Sequence, residues 1–518
     1  MLHVQLIVVS VLLLNGVHAG PNILYMIADD MSAEFDMPKL NSIVSGKDKN
    51  GRKFSNAHAT YTVCGPSRTS FLTGLYPDQT GAYRFADKRP DLESIPYYLS
   101  KKGYYTASFG KVFHQPYSME GDDTYREHFN VRGPNGRSAQ AYYFDANWEC
   151  KGKAYCVRKR GEKTSDMRVT RAALRFIEEY QNKTWAAFVG FYRPHFQLAV
   201  PDNMVDVNYV PELDNDTEIT NRTNLNFYEC KDLKKQEAYF TRMEGRAGSW
   251  EDITGEKGRE SSADLNKAAP DTVKRIKIMY QAAVRLVDKQ IGEILATLKR
   301  LDLYDKTIIV FHSDHGWQMG RHGIWCKNTL YDQATRVPLY LRVPDSDIQA
   351  KSTDTVSLVD IFPTLRHAIE GDSYKPVEIH QGSSLLMPLQ QDRMVYTQYP
   401  RCNQRGSIQT HNCMDNYFDT CSSVPSIKYM GYSAHSSDVR NIYNAILWKP
   451  FLQQPDTHCI ENELRTPSGS RTMWNKTSMD PMFTINDEPE SIDDDLYRNM
   501  TSGMDKVFSQ MKRNEWAG

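Results

Sequence analysis

Asn22 to Ala28 reads NILYMIA and stops at Asp29-Asp30. Three later segments repeat this design. Tyr104 to Phe109 (YYTASF) ends at Gly110-Lys111 and His114, Trp185 to Tyr192 (WAAFVGFY) ends at Arg193-Pro194-His195, and Thr307 to His312 (TIIVFH) ends at Ser313-Asp314-His315-Gly316. The runs are short, rich in β-formers and do not alternate, as expected of strands buried on both faces of a parallel sheet. Ligands bind beyond the carboxyl ends of such strands. The polar clusters therefore predict one shared site.

Helices are expected between the strands. Ile276, Tyr280, Ala283, Val284, Val287, Ile291, Ile294, Leu295 and Leu298 keep helical spacing before the fourth run, and the stripe reads as core packing. Asp271, after Pro270, is the expected N-cap. Residues 91–102 and 164–181 also read as helices. This order predicts an α/β fold with right-handed crossovers, a large and mostly parallel sheet sandwiched by helices. Residues 211–270 are polar and read as a loop-rich surface insertion. After about residue 395 the pattern changes to short segments, including Ile427 to Ser433 and Val439 to Trp448, which predict a smaller C-terminal α+β subdomain with an antiparallel sheet. Residues 485–495 are acidic, and 497–515 read as a terminal helix. The expected units are 20–395 and 396–518.

The chain has 518 residues, with 63 Lys and Arg against 64 Asp and Glu, a balance that argues against general nucleic-acid binding. An apolar share of 40% excludes a wholly disordered chain. Val4 to Leu14 is apolar and precedes Val17-His18-Ala19, so residues 1–19 read as a signal peptide, with a buried first strand as the alternative. That run is too short to span a bilayer, and no later one is long enough. Nine cysteines and sequons at Asn182, Asn215, Asn221, Asn475 and Asn499 fit a secretory route, lysosomal or extracellular. Cys150 and Cys156 could close a short loop. Cys402, Cys413, Cys421 and Cys459 could form two disulfides, in any of three connectivities. The odd total leaves at least one sulfur unpaired.

The segment Val63-Cys64-Gly65-Pro66-Ser67-Arg68-Thr69-Ser70-Phe71-Leu72-Thr73-Gly74 resembles the sulfatase signature C-x-P-S-R-x-x-x-L-T-G at every specified position. The chain is thereby similar to the formylglycine-dependent sulfatases, most closely to their iduronate 2-sulfatase branch, over roughly residues 21–370. Gly316-Trp317 with His322 to Lys327, and Val356 to Leu365, resemble the loop before the family's sulfate-binding lysine and a later core helix. Tyr399-Pro400 and Met430-Gly431-Tyr432-Ser433 are the pieces that match near the C-terminus. The resemblance implies the alkaline-phosphatase-like sulfatase fold. It also implies that Cys64 is oxidised to formylglycine by the formylglycine-generating enzyme, which would make Cys64 the odd cysteine.

A geminal diol attacks sulfur with one hydroxyl and uses the other to collapse back to the aldehyde and expel sulfate, which a serine ester cannot do. By the same resemblance Arg68, on the first turn of a helix, holds the diol. Asp29, Asp30, Asp314 and His315, with the modified Cys64, are the implied metal ligands. Three carboxylates form a hard oxygen site suited to one Ca²⁺, with Mg²⁺ as the alternative. Lys111 and His114 face the modified residue, His114 taking the proton from the second hydroxyl. His195 and Lys327 grip sulfate and protonate the leaving oxygen. Cys326, beside Lys327, is either a free thiol or a partner of Cys230.

The expected function is removal of sulfate from a sulfated sugar, with the 2-O-sulfate of iduronate in heparan or dermatan sulfate as the implied substrate. Another sulfated glycan or an aryl sulfate is the alternative. A phosphatase of the same superfamily would instead use Ser or Thr between two zinc ions. A secreted, non-catalytic binder of sulfated glycans would be expected to lack one of the site residues, and none is missing.

Overall fold

The computed structural model describes residues 20–44, 50–84, 87–114, 127–131, 149–150, 155–159, 161–206, 208, 270–319, 325–327, 329–390, 393–402, 427–437, 442–450, 459–466 and 469–475. The expected signal peptide, the insertion up to residue 269, Cys230, Cys413, Cys421, the acidic stretch 485–495 and the helix expected at 497–515 lie outside them, as do the side chains of Cys326, Cys402 and Cys459. The sequons at Asn215, Asn221 and Asn499 and the side chain of Asn475 lie outside as well.

The main sheet has seven strands: β1 (Asn22–Asp29), β2 (Gly51–His58), β3 (Tyr105–Gly110), β4 (Trp185–Pro194), β5 (Thr307–Ser313), β6 (Arg336–Arg342) and β7 (Thr355–Ser357). Their spatial order is β7-β2-β6-β5-β1-β4-β3, and only β6 runs antiparallel to its neighbours. The four polar-tipped runs are the contiguous parallel block β5-β1-β4-β3. In β6, Pro338 has no N–H to give a ladder, and it falls at a register shift between Val337 and Leu339.

Both faces of β1 are buried, which explains why its sequence does not alternate. Leu24, Met26 and Ala28 pack under α3 (Ser165–Glu179) and α4 (Pro270–Arg300). Ile23, Tyr25 and Ile27 pack under α1 (Cys64–Thr73), α2 (Ile95–Lys101) and α5 (Ile361–Glu370). The result is a sheet between two helical layers.

Several expected boundaries move. Helix α4 begins at Pro270, so Asp271 lies inside its first turn and is not the N-cap. Helix α2 is shorter than 91–102, because the Ser94 hydroxyl accepts from Tyr97 N–H at 3.3 Å and Pro96 occupies the first turn. Thr164 caps α3 through Met167 N–H in the same way. The helix expected from Val356 begins only at Ile361. Its first residues instead form the edge strand β7, parallel to β2, and a 3₁₀ turn that the Asp360 carboxylate closes on Ser357 N–H at 2.8 Å.

A second sheet, antiparallel throughout, contains β8 (Val395–Cys402), β9 (Ile427–Ser437), β10 (Ile442–Pro450), β11 (Cys459–Thr466) and β12 (Gly469–Asn475). It pairs the two C-terminal pieces noted in the sequence, Tyr399 opposite Gly431 and Pro400 opposite Met430. This sheet docks on the segment that leads to Cys64. Gln398 N–H donates to Thr60 O at 2.8 Å, and the Thr397 hydroxyl donates to Ala59 O at 2.5 Å. Cys150 and Cys156 form the expected disulfide, and among the described residues Cys64 is the free cysteine. Asn182 is exposed in the turn between α3 and β4. Among the described residues no helix is long and apolar enough to cross a membrane.

Candidate active site

The carboxyl ends of β1 and β5 lie side by side and bring Asp29-Asp30 against Asp314-His315. Asp30 adopts φ 64°, a left-handed conformation that costs a non-glycine residue of order 1 kcal/mol or more and persists only where neighbours enforce it. Those neighbours are present. Asp30 N–H donates to Asp314 Oδ1 at 3.1 Å, and Met31 N–H donates to Ser313 Oγ at 2.8 Å.

Cys64 is the first residue of α1, whose N-terminus no side chain caps. Pro66 is tolerated there because first-turn N–H groups have no partner within the helix. Cys64 Sγ is fully buried, 3.3 Å from Asp29 Oδ1, His315 Nε2 and Lys327 Nζ alike. Arg68 follows one helical turn later, just past the first turn, and so shares a face with Cys64. Its Nε donates to Asp314 Oδ2 at 2.9 Å, and Nη2 stands 3.5 Å from Asp29 Oδ1. Nη1 donates to the carbonyls of Lys111 and Val112. The adjacent Ser67 hydroxyl donates to Asp314 O at 2.6 Å. One turn of α1 therefore fixes the carboxyl ends of both β1 and β5.

Lys111 leaves β3 after Gly110, at φ 74°, and its N–H donates to Gly190 O at 3.0 Å. A Cβ at residue 190 would stand 1.8 Å from Lys111 O, so only glycine lets the two strand ends close this tightly. The Lys111 ammonium pairs with Asp29 Oδ2. His114, three residues on, is half-buried with Lys111, Asp29, Arg68 and Lys327 as charged neighbours. His195 Nε2 is 3.8 Å from Asp30 Oδ2, and its Nδ1 contacts Phe196 O. Residues 325–326 pair with Gln318–Met319 and deliver Lys327, whose ammonium donates to Asp30 Oδ1 at 2.7 Å. All ten residues expected from sequence thus meet at one place.

Charge decides their states. Burial alone would raise the Asp29 carboxyl, but Lys111, with His195 and Arg68, holds it below its ordinary value. Asp314 is likewise burdened by burial and held well below by Arg68. For Asp30 burial wins over Lys327, and its carboxyl is raised well above the usual range. Burial, then Asp29, pushes the Cys64 thiol up to about 12. Burial lowers His195 and His114 well below their usual values, with Lys327 and Lys111 respectively adding to the effect.

A metal fits this donor set. Ligand-capable atoms of Asp29, Cys64, Asp314 and His315 lie within 4.8 Å of one another. Asp30 lies just beside that group, its Oδ1 3.4 Å from His315 Nε2, while its buried Oδ2 has no hydrogen-bond partner. His315 Nδ1 donates to Gly316 O at 3.0 Å, which leaves the Nε2 lone pair facing the cluster.

Some participants were assigned no role from the sequence. Arg193 is buried between Glu149 and Asp166, donating to Asp166 Oδ2 at 3.2 Å and to the Ser165 hydroxyl at 2.8 Å, and this anchors the segment that presents His195. Ser313 holds the backbone of Met31 and Tyr280 that of Asp30. Trp317 packs on Phe196 and beneath the Lys327 ammonium. Ser313 and Trp317 could have been suspected from their places beside Asp314-His315; Glu149, remote in sequence, could not.

Buried carboxylates and cations at an uncapped helix N-terminus, beyond the carboxyl ends of parallel strands, define an anion-processing site. Comparisons narrow the class. Residues 21–371 match the family profile described as Sulfatase. The chain is 29% identical to human iduronate 2-sulfatase over 510 residues, covering 82% of this chain and 85% of the relative. It is 26% identical over 446 residues to an N-acetylglucosamine-6-O-sulfatase of Bacteroides thetaiotaomicron, covering 76% of each. A phosphonate monoester hydrolase structure from Silicibacter pomeroyi superposes with a TM-score of 0.62 at 18% identity, covering 95% of this chain and 96% of that one, which shows the shared fold. The chain belongs to the sulfatase family. It is a sulfatase with the fold the signature implied, and members of this family use formylglycine and a divalent metal.

Proposed function

We propose that this sulfatase removes sulfate from a sulfated sugar, the 2-O-sulfate of iduronate in heparan or dermatan sulfate, with a formylglycine formed at residue 64. The observation that carries the chemistry is the position of Cys64 Sγ, 3.3 Å from Asp29, His315 and Lys327. Sγ stands where the hydroxyls of the hydrated aldehyde would be. The substrate reading rests on the similarity to iduronate 2-sulfatase.

Asp29, Asp30, Asp314 and His315, with the oxygen at residue 64, would hold one Ca²⁺. Bound there, the ion would polarise a sulfate oxygen and favour the ionised diol. Three carboxylates are already balanced by Arg68, Lys111 and Lys327, so a divalent ion would leave the site positive for an anionic ester. One diol hydroxyl, deprotonated, attacks sulfur. The sugar oxygen departs with a proton from His195, while Lys327 holds the sulfate. His114 then takes the proton of the second hydroxyl, the C–O bond to sulfate breaks, and the aldehyde returns for rehydration. Burial disfavours protonated His195, so an acid able to serve this step gains population as pH falls.

The Cys150–Cys156 disulfide and the exposed Asn182 sequon support a secretory route, to the lysosome or the exterior, on which the formylglycine-generating enzyme would act. Residues 20–395 would form the catalytic unit and 396–518 the C-terminal subdomain.

The test compares a disaccharide bearing iduronate 2-O-sulfate with one bearing glucosamine 6-O-sulfate. Wild type is expected to release sulfate from the first with the higher kcat/KM, and Cys64→Ala from neither. Preference for the second would move the substrate to another sulfated sugar, the reading favoured by the similarity to the N-acetylglucosamine-6-O-sulfatase.

A further inference from the structure

The helical stripe on α4 looks like packing alone, yet one of its members reaches the carboxylate cluster. Tyr280, fully buried, donates its hydroxyl to Asp30 O and accepts from Ser32 N–H at 3.1 Å. The phenol thus bridges the carbonyl of the left-handed residue Asp30 and the N–H two residues on, across Met31. Around it the two strand ends are tied reciprocally. The Ser32 hydroxyl donates to Trp317 O at 2.7 Å and accepts from Trp317 N–H at 3.0 Å. Ser313 Oγ accepts from Met31 N–H at 2.8 Å and donates to His315 O at 2.8 Å.

We propose that Tyr280 is a positioning residue for the cation, a latch that holds the Asp30 backbone in its left-handed turn so that Asp30 and Asp314 present their oxygens together before any ion arrives. The inference rests on the metal reading of the proposed function and deepens it. Two features separate the latch from ordinary packing. The phenol oxygen makes two hydrogen bonds to the backbone that runs on from Asp30, one of them to the Asp30 carbonyl itself, and Asp30 has the unfavourable φ. The other bonds in the tie lie within the β5 end or join it to the β1 end, whereas the Tyr280 bonds bring α4 to it. Removal of the oxygen leaves Asp30 C=O and Ser32 N–H buried without this partner, and Asp30 is free to relax away from Asp314. The ring would stay packed on Phe35, 5.0 Å between centroids.

Full-length protein, stripped with a chelator and titrated calorimetrically with Ca²⁺ alone, tests the latch in three forms. These are wild type, Tyr280→Phe, and Ile294→Ala, which lies on the same helix in the buried core away from the site. Tyr280→Phe should bind Ca²⁺ about 10-fold or more weakly, the usual effect of removing an outer-shell support. Its sulfatase activity should recover in excess Ca²⁺. Ile294→Ala should lower Tm and keep the wild-type affinity. Equal affinity for wild type and Tyr280→Phe, or an equal loss in Ile294→Ala, would overturn the latch while leaving the metal reading intact. No binding by wild type would overturn both.

Discussion

Two buried ion clusters lie on adjoining strands and differ in what they leave over. Around Arg193 each carboxylate oxygen is held: Glu149 by Ser165 N–H and Arg193, Asp166 by Tyr192 N–H and Arg193. Around Arg68 the account does not close, because Asp30 Oδ2 is buried with no hydrogen-bond partner. Each cluster leaves a guanidinium nitrogen over, Arg193 Nε in one and Arg68 Nη2 in the other, so the contrast lies in the acids: a structural ion network pairs its carboxylate oxygens, since an unpaired buried charge is expensive. A working site keeps one oxygen for something else. The contrast separates scaffold from chemistry without any ligand present.

The sharpest break in this comparison is to neutralise one acid in each cluster. Asp30→Asn should lower sulfate release roughly 10³-fold by removing an oxygen that would hold the cation. Its chelator-treated Tm should stay close to wild type, because burial already raises the Asp30 carboxyl well above its usual range in the metal-free site and an amide oxygen still accepts from Lys327. Measurement of both quantities decides the matter: a large loss of stability in the metal-free variant would make Asp30 structural. Glu149→Gln should do the reverse. Breaking a buried pair costs about 3 kcal/mol, so its denaturation midpoint should drop while Ca²⁺ affinity stays at the wild-type value. A weakened Ca²⁺ affinity there would merge the two clusters into one.

A third and smaller effect sharpens the same distinction with neutral groups. His58 and His435 stack across the two sheets at 3.7 Å, with hydroxyl and amide partners. Burial pushes His435 down to about 3, and burial together with His435 holds His58 well below its ordinary value. Both folded values lie below the unfolded reference of about 6.5. Their contribution to stability is therefore present above about pH 6.5 and is lost as pH falls toward 3. Each proton taken up on unfolding steepens the loss by about 1.4 kcal/mol per pH unit. His435→Gln should make the decline of stability across that window shallower than in wild type; parallel declines would show that the pair does not govern it.

The half of the sheet that carries the site was readable because strands buried on both faces cannot hide their apolar runs, and each run stops where the chemistry begins. The other half was not. β2 (GRKFSNAH) is polar and partly exposed, β6 holds a proline at its register shift, and β7 is three residues long, so none has the continuous pattern of a central strand. The ten residues expected at the site were named from the signature, the strand ends and the likeness of the loop before Lys327, and the fold brings them together. Tyr280 was not named, because a tyrosine in a helical stripe looks the same whether its oxygen meets water or a strained backbone. The Glu149–Arg193 pair, separated by 44 positions, leaves no local trace either. What sequence conveys is which groups are chemically unusual; which ordinary groups hold them in place depends on contacts made only in the fold.

The proposed chemistry stands on residue 64 working as an aldehyde. Protein from its native secretory route, digested and treated with a hydrazide before mass spectrometry, tests it directly. The peptide carrying residue 64 should be captured as a hydrazone and should not react with a thiol reagent, in proportion to the activity of the preparation. A fully active preparation in which that peptide carries an intact thiol would contradict it.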